Sequence, residues 1–173
     1  SARDDVDATR LLPDYVLERT YPEDKGAADP SLAVLRAVIR AQAALVAKWM
    51  QVGFIHAVMN TDNMAISSET LDFGPCAFID AYDPATVFSS IDQHGRYAFG
   101  NQPNAAQWNL ARFAETLLPL IDPVPERALE SAGAAVLAFS SQYEDLWLEG
   151  MRGKLGLSAR EDGDLQLIQG LLQ

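Results

Sequence analysis

The stretch Gly53-Phe54-Ile55-His56-Ala57-Val58-Met59-Asn60-Thr61-Asp62-Asn63-Met64, followed by Asp72-Phe73-Gly74, decides how this chain folds and what chemistry it can carry. It sets the amide of Asn63 and two carboxylates, Asp62 and Asp72, on either side of a Ser67-Ser68 turn signal. A hairpin turning there pairs 66 with 69, 65 with 70, 64 with 71 and 63 with 72. Asn63 then faces Asp72, with alpha carbons roughly 4.5 to 5.5 Å apart. An amide oxygen and a carboxylate converging in this way suit magnesium, which takes oxygen ligands and shares them with water and phosphate.

Working outward, Asp29 is placed to cap a helix with Pro30 in its first turn. The apolar set Leu35, Val38, Ile39, Leu45, Val46 and Trp49 recurs at helical spacing, with Gln42 its polar interruption, and Gly53 ends the helix. A long helix running directly into a metal loop is the element order of a protein-kinase carboxy-terminal lobe. In kinases the catalytic loop reads His-x-Asp, four residues, Asn, and the Asp of Asp-Phe-Gly follows on the next strand. His56, Asn63 and Asp72 meet that pattern, but Val58 stands where the catalytic Asp belongs. Asp62 is the nearby carboxylate able to accept a hydroxyl proton.

The chain resembles the selenoprotein O (SelO, YdiU-like) family of pseudokinases. The resemblance rests on 53–64, on Asp72-Phe73-Gly74-Pro75, and on Phe78-Ile79-Asp80-Ala81-Tyr82-Asp83-Pro84. It continues through Gly95-Arg96-Tyr97-Ala98-Phe99, Gln102-Pro103 and Trp108-Asn109-Leu110. It implies transfer of AMP from ATP to Ser, Thr or Tyr hydroxyls of proteins, with Asp62 as proton acceptor and Asn63 and Asp72 as ligands of magnesium or manganese. Two family features are missing: the amino-terminal lobe that grips the nucleotide, and the carboxy-terminal redox Cys or Sec. The chain therefore reads as a fragment, one domain over 1–173, mainly α with a small β-hairpin (α+β), forming part of a kinase-like carboxy-terminal lobe. Such a piece is expected to bind ATP weakly and to catalyse little alone. Val58 weighs against an orthodox phosphotransferase, and retention of Asp62, Asn63 and Asp72 together weighs against a helical interaction module with a vestigial site.

Composition sets the remaining bounds. With 13 basic against 24 acidic residues and a net charge of -11, neither nucleic acid nor an anionic membrane is an expected partner. The apolar stretch 41–59 is interrupted by Gln42, Lys48, Gln51 and His56, and no signal sequence is evident. The sole cysteine, Cys76, excludes an internal disulfide framework and reads as a small apolar residue, so a bacterial-type cytoplasmic location is expected.

Elsewhere, residues 1–28 read as a connector with a short helix at Leu12 to Arg19. Asp83-Pro84 and Pro103-Asn104 read as helix starts, with helices near 105–118, 125–150 and 161–172. Trp49, Trp108 and Trp147 are expected in the core. His56 is expected to be a structural hydrogen-bonding residue, Arg96 to pair with a carboxylate, and Asp80 and Asp92 to satisfy turn amides.

Overall fold

The computed structural model describes residues 6–172. Among the described residues there are five helices: α1 (Val6–Arg19), α2 (Pro30–Val52), α3 (Gln102–Ile121), α4 (Pro125–Leu155) and α5 (Asp164–Leu171). Two strands of two residues each, β1 (Phe54–Ile55) and β2 (Ala77–Phe78), pair antiparallel, with Phe54 opposite Phe78 and Ile55 opposite Ala77. Single 3-10 turns lie at Pro22–Asp24, Thr61–Asn63 and Phe99–Asn101. The chain is thus mostly helical with one small antiparallel sheet, in line with the α+β expectation.

Helix α2 is the centre of the packing, in contact with α1, α3 and α4. Its start is fixed as expected: Asp29 accepts the Leu32 N–H at 3.0 Å and Pro30 opens the first turn. Its end is fixed by Gly53, whose φ of 71° is left-handed and whose N–H reaches Trp49 O. A Cβ at Gly53 would lie 2.9 Å from Ile79 Cγ1, so glycine also lets the segment after the strand pack closely. Val34, Leu35, Val38, Ile39 and Val46 are buried, as helical spacing requires of an inward stripe. Leu35 and Ile39 are 0% exposed, and truncating either to Ala is expected to cost about 2–5 kcal/mol. By length and composition α2 is apolar enough to cross a membrane, an 18-residue window of it having a mean hydropathy of 1.4, but that apolarity is used in packing against the other helices.

At the far end, α4 closes on Gly156 at φ 70°, and α5 is tied back to it by a buried ion pair, Arg152 Nε to Asp164 Oδ2 at 2.7 Å. The Glu161 N–H and the Arg152 guanidinium hold the Asp164 carboxyl below its ordinary value, against the opposing effect of burial.

Several expectations need correction. The first helix begins at Val6 rather than near Leu12, with Pro13 inside it, and residues 1–5 of the expected connector lie outside the described residues. No helix starts at Asp83-Pro84. Asp83 Oδ1 accepts the Ala85 N–H in a turn, while the carbonyls of Pro84 and Thr86 accept the N–H groups of Gly100 and Phe99. Those bonds to residues 99 and 100 take the carbonyls a helix would need. The helices expected near 105–118, 125–150 and 161–172 appear as α3, α4 and α5, with Pro103 in the first turn of α3. Trp49 is buried and Trp147 half-buried, but Trp108 is 46% exposed.

Candidate functional site

The loop from Phe54 to Met64 is held by amide side chains projecting from the helices. Gln102, 0% exposed at the start of α3, accepts the His56 N–H at 2.9 Å and donates to Phe54 O at 2.9 Å. Asn109, about two turns further along α3, donates to Met59 O at 2.8 Å. Gln42, the polar interruption of α2, donates to Ala65 O at 2.9 Å, and Tyr21 donates its hydroxyl to Ile66 O at 2.5 Å. Burial pushes the Tyr21 hydroxyl above its ordinary value, which keeps it a donor. A loop that cannot pair with itself therefore has its buried backbone groups met from outside.

His56 joins the two motif segments. Its Nε2 lies 2.6 Å from Leu71 O, a carbonyl that can only accept, so Nε2 carries the proton and Nδ1 accepts the Val58 N–H at 3.4 Å. The structural role expected of His56 is the one its contacts describe, and the ring is 1% exposed between Trp49 and Phe54.

Asp62 and Asn63 occupy the Thr61–Asn63 turn, Asp62 exposed and Asn63 half-buried. Asn63 Nδ2 donates to Val58 O at 3.0 Å, which fixes the amide orientation and leaves Oδ1 as its free end. That is the atom a magnesium ion would take, so Asn63 fits the expected group. Asp72 is exposed with φ 54°, in the left-handed region, and its Oδ1 lies beside Gly74. Among the described residues no three His, Cys, Asp or Glu side chains cluster in a way that could hold a metal. An ion taken by Asn63 and Asp72 would meet two protein oxygens and would complete its shell with phosphate and water.

The expected hairpin register does not form. The segment makes one antiparallel bridge, Met64 to Thr70, so continuing that register sets Leu71, not Asp72, opposite Asn63. Across the turn Ala65 O accepts the Ser68 N–H at 3.0 Å, with Ser68 at φ 59°, while Gln42 also donates to Ala65 O and Tyr21 to Ile66 O. Trp49 Nε1 donates to Thr70 Oγ1 at 3.1 Å, which pins the returning segment to α2 instead.

Around the loop, Tyr97 donates its hydroxyl to Asn60 Oδ1 at 2.6 Å. Asp92 accepts the N–H groups of Arg96 and Tyr97, the turn role expected of it. Arg96 does not pair with a carboxylate among the described residues; its guanidinium stacks 4.5 Å over Trp108, which explains why that tryptophan stays on the surface. Cys76 is half-buried against the core, its thiol 3.3 Å from Phe73 O. Gln102, Asn109 and Asn60 lie in the motif stretches, yet their residue types alone assign them no role. The usable signal was an amide on an otherwise apolar helix face, already visible at Gln42.

Comparisons with known proteins bear on this arrangement. The family model described as protein adenylyltransferase SelO matches residues 1–173. Curated relatives carry the name Protein nucleotidyltransferase YdiU. The one from Rhizobium leguminosarum bv. trifolii is 60% identical over 172 residues, 99% of this chain and 34% of the relative. The one from Agrobacterium fabrum is 58% identical over 99% of this chain and 35% of the relative, and that from Cereibacter sphaeroides 56% identical over 100% and 36%. The chain spans about a third of the length of these relatives. With the whole of its sequence matched, the chain belongs to the SelO family.

Proposed function

We propose that this chain is the catalytic-loop portion of a protein adenylyltransferase, one domain equivalent to part of a kinase-like carboxy-terminal lobe. ATP and proteins bearing Ser, Thr or Tyr hydroxyls are its substrates, the cytoplasm is its location, and the cations that grip the phosphates come from outside these 173 residues. Alone, the chain binds ATP weakly. The observation that carries the reading is the link from His56 Nε2 to Leu71 O, which ties the turn bearing Asp62 and Asn63 to the segment bearing Asp72.

In this reading a protein hydroxyl oxygen attacks the α-phosphorus of ATP. The new O–P bond forms as the bond between the α-phosphorus and its bridging oxygen breaks, and pyrophosphate leaves. Asp62 is exposed in its turn, free to accept the hydroxyl proton. Asn63 Oδ1 and the Asp72 carboxylate hold a divalent ion, magnesium or manganese, which when bound offsets charge on the phosphates. The buried amides Gln102 and Asn109 keep the loop from relaxing, so positioning is set before substrate arrives.

The test uses the full-length protein with magnesium and ATP labelled at the α- or the γ-phosphate. Protein-bound α-label is expected, reduced about 100-fold or more in Asp72→Ala and in Asp62→Ala. Transfer of γ-label alone would make the protein a phosphotransferase. Neither label, across varied protein acceptors, would leave an interaction module.

A further inference from the structure

We propose that Arg96 and Arg112, stacked on the exposed ring of Trp108 beside the turn that carries Asp62 and Asn63, dock an acidic polypeptide segment. The Arg96 guanidinium carbon lies 4.5 Å from the centre of the Trp108 ring and 5.6 Å from that of Tyr97, and the Arg112 carbon lies 5.3 Å from that of Trp108. Trp108 and Arg112 are one turn apart on α3, while Arg96 comes from the loop before that helix. All three side chains belong to exposed residues. Two contacts set the cluster beside the turn. Tyr97, next to Arg96, donates to Asn60 Oδ1 at 2.6 Å, and Asn60 directly precedes Thr61–Asn63. Arg112 and Thr61 line the same cavity.

The chemistry of the cluster selects the occupant. An arginine stacked on an aromatic ring uses its flat face and keeps the N–H groups of its edge, which match the two oxygens of a carboxylate. Arg96 has no carboxylate partner among the described residues, although the chain holds 24 acidic against 13 basic residues. The carboxylate closest to it in sequence, Asp92, spends one oxygen on the Arg96 N–H and the other on the Tyr97 N–H. Arg112 pairs with Glu115 at 2.6 Å, with both side chains about half exposed. Such a pair contributes under about 1 kcal/mol, so an incoming carboxylate can replace it. Stacking also restrains the guanidinium groups in advance, which reduces the freedom lost on binding. An aromatic ring with arginines suits single-stranded nucleic acid as well, but a net charge of -11 works against that partner. That the segment belongs to the acceptor protein rests on the adenylyltransferase reading; that the surface takes carboxylates does not.

The probes are fluorescein-labelled peptides in which a Ser is flanked on both sides by Glu, by Gln or by Lys, titrated into the full-length protein and read by fluorescence anisotropy. The Glu peptide is expected to bind about 10-fold or more tightly than the Gln peptide, and less tightly as salt is raised. Arg96→Glu should weaken the Glu peptide about 10-fold or more and strengthen the Lys peptide. Arg112→Gln should weaken the Glu peptide too, and it decides the matter should Arg96→Glu not fold. Arg160→Glu, in the loop between α4 and α5, changes the net charge by as much as Arg96→Glu and should leave binding unchanged. In transfer of α-label, Arg96→Glu should raise KM for the Glu peptide and leave KM for ATP as it was. Glu-peptide binding of this kind with no transfer of α-label would uphold the surface and overturn the adenylyltransferase reading alone. Equal binding of the Glu and Gln peptides, tighter binding of an oligothymidylate, a raised KM for ATP instead, or full affinity in a folded Arg96→Glu or Arg112→Gln variant would overturn the proposal.

Discussion

From Phe54 to Met59 the chain is buried apart from half-buried Val58, and α3 side chains meet the His56 N–H and the carbonyls of Phe54 and Met59. From Leu71 to Gly74 it is exposed throughout, with Asp72 left-handed and Phe73 62% exposed. The same framework holds both, yet the first segment is set by this chain's own core and the second is tied to it mainly through His56. The contrast separates what these helices can hold by themselves from what depends on a few bonds at the surface.

Gln102 offers the largest effect with which to break that contrast. Gln102→Leu keeps the side-chain volume but strands the buried His56 N–H and Phe54 O. Two unpaired buried groups are expected to cost about 2–4 kcal/mol in urea denaturation. Leu71→Ser, at a 43% exposed site, is expected to change stability by less than about 0.5 kcal/mol. Similar losses in the two variants would mean that the loop does not rely on its buried amide.

A smaller effect lies at the joint between the segments. His56→Phe retains ring contacts with Trp49, now 5.5 Å between centroids, and with Phe54, but it loses the bond to Leu71 O and the acceptor for Val58 N–H. About 1–2 kcal/mol of stability should go, since the Leu71 end is open to water. Amide hydrogen exchange over 70–76 should quicken by more than that over 54–59. Unchanged exchange at 70–76 would show that His56 does not carry the coupling.

The same division explains what the sequence revealed. Asp29, Pro30 and Gly53 act on backbone groups within one helical turn of themselves, so the limits of α2 could be read directly. The motif residues were legible as residue types, but the hairpin expected to set Asp72 opposite Asn63 does not form. The register was not legible, because Gln42 and Tyr21, 23 and 45 residues away from the carbonyls they take, decide it. The strands β1 and β2 were missed because two residues carry no alternation. Trp108 was assigned to the core because helical spacing gives a face and not the two arginines, Arg96 and Arg112, that stack on its ring.

The smallest effect is the one most specific to Asp72. Its φ of 54° is a conformation that glycine adopts freely and that a Cβ disfavours by roughly 1 kcal/mol. Asp72→Gly relieves this in the folded state while adding freedom to the unfolded one, so its net gain should be near 0.5 kcal/mol or less. Asp72→Ala keeps the strain without the local hydrogen bonding that helps Asp tolerate it, and should be less stable than Asp72→Gly by about 1 kcal/mol. Both variants should lose α-label transfer about equally. Paired thermal melts and labelling assays then separate two readings of the position. If Gly and Ala were equally stable, the left-handed backbone would not be a point of strain. If Asp72→Gly kept transfer activity, the carboxylate would not be the reason this backbone carries a side chain. A gain in stability together with a loss of transfer is the outcome expected where local strain is kept for the chemistry of a side chain.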